Sequence, residues 1–119
     1  MAETVSGPPP AEPGEVGPYA LVVVLTCKRG RVDEVTELFL QQIDAVRAEP
    51  ANVDYHLHRD RSAPDVLVFY ESYRGAEGFE HHMARDNIQV LLSVLPDLLE
   101  KEPEMRFLQM LSDRDRRAT

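Results

Sequence analysis

Between Glu49 and His82 the chain sets polar side chains that can handle protons around short apolar runs: Asn52, Tyr55, Glu71, Tyr73 and His82. An imidazole titrates near neutral pH, which makes His82 the candidate base. Phe79 and Met83 lie within a helical turn of it, so this part of a helix is expected to lean on the core. Glu71 shares strand parity with Leu67, Phe69 and Tyr73, so all four project from one face. If that face meets helices, Glu71 enters an apolar pocket and needs a partner, for which His82 is the obvious choice. Otherwise it reaches solvent or pairs with Arg74. Asn52 follows a helix, where Asn serves turn geometry or offers its amide to a substrate oxygen. Tyr55 brings a phenol on a ring whose default role is core packing. His82, Glu71 and Asn52 are therefore the expected catalytic residues. Tyr55, Tyr73, Phe69, Phe79 and Met83 are the expected substrate contacts. His81 points about 100° away around the helix and is expected to be an ordinary surface residue.

His56 and His58 are two apart on a strand and point the same way. A metal usually needs a third ligand, and Asp54 and Asp60, which share that parity, are equally consistent with solvent-facing positions. No metal site is expected. The glycine patterns of nucleotide and phosphate cradles are absent, so neither is suggested, and a serine-nucleophile elbow is absent too.

The elements that must position these residues follow from pattern. Tyr19 to Cys27 is apolar and β-branched, as a strand requires. Val32, Val35, Phe39, Ile43 and Val46 recur at helical spacing, and the residue before Pro50 disfavours the α region, so that helix stops by Glu49. Val53 to Arg59 alternates as a half-polar strand, Ser62 to Asp65 turns, and Val66 to Tyr73 is a further strand. Gly75 to Arg85 and Asn87 to Glu100 read as helical pieces, the second bent or shortened by Pro96. Met105 to Leu111 is a last strand. The order β-α-β-β-α-β is the ferredoxin-like α+β arrangement, with helices on one face of an antiparallel sheet. Both faces of the first and third strands are apolar, whereas a sheet with one wet face alternates. A second copy packed sheet to sheet is the simplest cover, giving a homodimer.

Residues 1–18 hold five of the nine prolines and little apolar surface, so they are expected to be a disordered tail. Residues 19–111 form the domain, and the charged end, 112–119, is expected to fray. The net charge of −8 excludes the basic stripe of a nucleic-acid binder. No apolar run approaches the roughly 20 residues that span a bilayer. The start lacks the basic and apolar regions of a secretory signal, and Cys27 is the only cysteine, so a cytoplasmic protein is expected.

The region 49–82 resembles the antibiotic biosynthesis monooxygenase family, which includes quinol monooxygenases. Glu49, Asn52 and Tyr55 fit its E-x-x-N-x-x-Y pattern, Glu71 and Tyr73 its Glu-x-aromatic at the end of the third strand, and His82 the histidine of the next helix. Members commonly carry a second His five residues later, where this chain has Asn87. The aromatic is often Trp, and its absence here weighs against the haem-degrading branch. The resemblance implies a dimeric α/β barrel and oxygenation of a hydroquinone or polycyclic phenol by dioxygen, without metal or organic cofactor. It implies His82 as base, Glu71 orienting it, and Asn52 or Tyr73 holding the oxyanion. A small-molecule-binding dimer without catalysis, and an isomerase of a small (phospho)ketone on the same fold, are the alternatives.

Overall fold

In the computed structural model, which describes residues 8–112, the strand Val66–Tyr73 pairs antiparallel with both Tyr19–Thr26 and Asn52–Arg59 at the centre of the sheet. Strand β1 (Tyr19–Thr26) leads into helices α1 (Val32–Leu40) and α2 (Ile43–Arg47). Strands β2 (Asn52–Arg59) and β3 (Val66–Tyr73) follow. Helices α3 (Ala76–Ala84) and α4 (Asp86–Val94), a 3₁₀ turn at Leu95–Asp97 and strand β4 (Glu104–Leu108) complete the order. The sheet runs β2-β3-β1-β4, antiparallel throughout, with the helices over one face. This is the ferredoxin-like fold.

Differences from the sequence pattern have local causes. The single helix expected from Val32 to Glu49 is two, because the backbone tightens at Gln42, whose N–H bonds to the Phe39 carbonyl three residues back. Helix α4 stops at Val94, since Pro96 has no N–H with which to continue it. The last strand ends at Leu108 rather than Leu111. Leu108 pairs with Ala20, beside the start of β1, so the following residues have almost no β1 left to pair with. Of the expected disordered tail, residues 1–7 lie outside the described residues. Residues 8–18 form no helix or strand, yet they lie against the domain. The Tyr19 hydroxyl donates to the Pro9 carbonyl at 2.5 Å, and Gly17 abuts Met110. Of the expected fraying end, 113–119 lie outside the described residues.

The core lies between sheet and helices. Leu21, Val23 and Leu25 of β1 and Leu67 and Phe69 of β3 are buried against Val35, Phe39, Ile88 and Leu91. Phe69 meets Phe39 edge-on and stacks on Tyr55, with ring centroids 4.8 and 4.7 Å apart. The opposite sheet face carries Val22, Val24, Val66, Val68 and Tyr70, all half-buried and without a helix over them. His56 and His58 on β2 and Glu104 and Arg106 on β4 flank this apolar stripe by register. Among the described residues no helix is long and apolar enough to cross a membrane.

Candidate active site

Helix α3 comes unusually close to the sheet at one residue. A Cβ on Gly78 would stand 2.7 Å from the Ala51 Cβ and 3.2 Å from the Tyr73 Cβ, so only glycine permits this approach. One turn further along the same face, His82 is pressed into the interior at 4% exposure. Gly75, with φ +84°, makes the sharp exit from β3 that starts this helix.

Two buried carboxylates flank the imidazole. His82 Nδ1 lies 3.0 Å from Glu49 Oε2 and 3.3 Å from Oε1. An ionised carboxylate only accepts, so the Nδ1 proton donates to Glu49 and leaves Nε2 with its lone pair. On the Nε2 side Glu71 Oε1 is 3.8 Å away, beyond hydrogen-bond reach. Glu71 instead accepts from the Tyr73 hydroxyl at 2.7 Å. The spacing points to Glu71 as the partner that orients His82; in the structure His82 Nδ1–H donates to Glu49 instead. The residue read as a helix terminator lies beneath α3 because the chain reverses after α2. Its place at the head of the E-x-x-N-x-x-Y pattern was the signal available. Arg85, which links α3 to α4 in extended conformation, brings Nε to 3.4 Å from Glu49 Oε2. Glu49 thus joins a buried imidazole to a half-exposed guanidinium.

Burial sets the electrostatics. Loss of water pushes the Glu71 carboxyl up to about 7, with the Tyr73 hydrogen bond opposing and the nearby Glu49 charge adding to the rise. Burial also lowers the His82 pKa below its usual value, against the opposing pull of Glu49. The Tyr55 and Tyr73 phenols are held neutral, chiefly by burial and then by the Glu71 charge.

His82 and Glu71 place an imidazole and a carboxyl group on the wall of an apolar cavity of about 50 Å³. Tyr55, Phe69, Phe79 and Met83 line it, as do Phe39, Ile88 and Leu92. Six of the eight residues expected at the site therefore share one cavity. Tyr73 stands behind Glu71 as its hydrogen-bond donor. Asn52 lies elsewhere: the register of β2 against β3 shifts between Asn52 and Asp54, and the Asn52 amide spans the bulge. Its Nδ2 donates to the Asp54 and Ser72 carbonyls at 2.9 and 3.3 Å. Both amide protons are used there, so the expected oxyanion contact is replaced by a structural one. Asn87 donates to Gln42 Oε1 at 2.7 Å, tying the start of α4 to the α1–α2 break. His56 joins Asp54 and Arg47, and His58 donates to the Val68 carbonyl. Among the described residues no three metal-binding groups converge.

No curated protein matches the chain. Among solved structures it is similar to a protein from Shewanella oneidensis, at 25% identity and a TM-score of 0.71 over 76% of this chain and 90% of that one. A protein from Mycobacterium tuberculosis is similar at 19% identity and a TM-score of 0.77, over 82% and 99%. A candidate antibiotic biosynthesis monooxygenase from Caulobacter crescentus is similar at 21% and 0.75, over 81% and 92%. The sequence model of the antibiotic biosynthesis monooxygenase family matches residues 18–92, the part that contains the buried His82, Glu49 and Glu71, and this chain belongs to that family.

Proposed function

We propose that this protein is a cofactor-independent monooxygenase that oxidises a hydroquinone or polycyclic phenol with dioxygen. The observation that carries the reading is the free Nε2 of His82 in an apolar cavity, with a carboxyl group of raised pKa beside it. In this reading His82 Nε2 takes the phenolic proton, and Glu49 holds the ring in the tautomer that can do so. The phenolate, poorly solvated in such a cavity, gives electrons to dioxygen. One oxygen atom then bonds to ring carbon, and the other leaves as water. The substrate supplies all four electrons, a hydroquinone ending as a hydroxyquinone and a polycyclic phenol as a quinone. The new imidazolium faces the developing charge. Glu71, raised to about 7 and so partly protonated at neutral pH, supplies a proton to the departing oxygen.

The protein acts as a homodimer in this proposal, with the half-buried valines of the uncovered sheet face meeting their copies. An apolar stripe with a polar rim is the usual anatomy of such an interface. That face is opposite the cavity, so pairing leaves the site open.

The test is oxygen uptake by metal-stripped protein with anthrols, naphthohydroquinones and menadiol. Uptake above the buffer rate, with one oxygen atom from labelled dioxygen in the product, is expected. Uptake no faster than buffer on every compound would reject the reading.

A further inference from the structure

Alone, the cavity beside His82 is smaller than an aromatic substrate needs. About 50 Å³ falls below the roughly 150 Å³ of a cavity that takes one benzene. Directly beside it lies a groove of about 350 Å³ with which it shares Leu92, Leu95 and Pro103. Joined, the two reach the usual size of ligand pockets, roughly 300–1,000 Å³. The groove continues along Pro96 and Leu99, so its walls are apolar. Its rim carries Glu100, Lys101 and Glu102, a net negative set.

We infer that the substrate is a two-part molecule: an aromatic head against His82 and Glu71, and an uncharged alkyl or isoprenoid-type tail in this groove. The inference rests on the monooxygenase reading for the head and on the shared wall for the tail. Leu92, Leu95 and Pro103 form the neck between the parts. Unbranched Met83 and Met105, both on the cavity wall, are side chains able to re-pack as the ring enters. The apolar walls favour the tail by removing it from water, and the acidic rim disfavours a tail ending in carboxylate.

Binding under nitrogen tests this without turnover. The chain has no tryptophan, so naphthol fluorescence can be followed directly. Affinity for 1-naphthols bearing 2-alkyl chains from methyl to hexyl is expected to rise roughly fourfold per buried methylene until the groove is full. A terminal carboxylate on the chain is expected to weaken binding. Pro96→Phe and Glu102→Phe, both at exposed groove positions and adding no tryptophan, are expected to keep the affinity for unsubstituted 1-naphthol and abolish the gain with length. Affinity independent of chain length, a gain that survives in both variants, or tighter binding of the carboxylate would overturn the inference. Oxygen uptake with short substrates such as menadiol reads the monooxygenase proposal separately, so either can fail alone.

Discussion

His82 and its two carboxylates divide the work by which nitrogen each one faces. If His82 is the base, as proposed, His82→Ala is expected to lower oxygen uptake by about 10²–10⁴-fold, while His81→Ala, on the exposed neighbouring residue, is expected to leave it unchanged. Equal losses in the two variants would mean the wrong histidine. Glu71 gives a pH signature. Its folded pKa lies above the ordinary carboxylate value, so the folded state binds the proton more tightly than the unfolded one does. Its contribution to stability is therefore greatest below about 4.5 and falls as pH rises through about 7. His82 has the opposite sign: its lowered pKa costs stability as pH falls below the imidazole's usual value. Glu71→Gln removes the first penalty alone. The variant should be more stable than the parent at pH 8, by something on the order of 1–3 kcal/mol, and nearly equal at pH 5. Chemical denaturation at the two pH values measures this, and a variant less stable at pH 8 would contradict it. In turnover, the alkaline loss of rate that accompanies Glu71 ionisation should disappear in Glu71→Gln, with a smaller rate loss than in His82→Ala.

Helix α3 owes its position to a missing side chain. In an exposed helix interior, Gly→Ala adds roughly 1 kcal/mol of stability. Gly78→Ala is expected to do the reverse, because Ala51 Cβ, 2.7 Å from the added methyl, has no rotamer with which to move aside. The helix must shift away from β3, and His82 moves with it. Lower thermal stability and lower oxygen uptake should appear together. The double variant Gly78→Ala/Ala51→Gly should recover both, since the methyl is only relocated across the contact. A stabilised Gly78→Ala protein would show that the close approach does not hold the site. The β2 bulge acts at the same scale: the Asn52 amide bridges it, and the Arg74 N–H bonds to the Ala51 carbonyl at 2.8 Å. Together they fix the end of β3 from which Glu71 and Tyr73 emerge.

At the scale of the molecule, the four-stranded sheet has one face inside the core and one without a cover. Val24 and Val68 are paired across β1 and β3 at the centre of that second face. A charge at either position faces solvent in a monomer but sits unpaired within an apolar contact in a dimer. Val24→Asp and Val68→Asp are therefore expected to convert a dimer to a folded monomer, measured by sedimentation at micromolar concentration. Parent protein that sediments as a monomer would dismiss the dimer. Asp at Val23, its side chain in the core, should instead unfold the domain.

The strand and helix order was legible from the chain because it rests on local patterns: β-branched runs, helical spacing from Val32 to Val46, and turns at Ser62–Asp65 and Gly75. Parity alone put Leu67, Phe69, Glu71 and Tyr73 on one face, and all four are buried there. His82 was legible too, by the apolar residues a turn away from it. Long-range pairing was not. Glu49 and His82 stand 33 residues apart, and no periodicity tells which carboxylate reaches which nitrogen. The role of Asn52 depended on a one-residue slip in register, which sequence spacing does not reveal. Nor could the apolar strands say which face the helices cover. Only packing decided these points, because each depends on where separate elements meet rather than on the residues within any one of them.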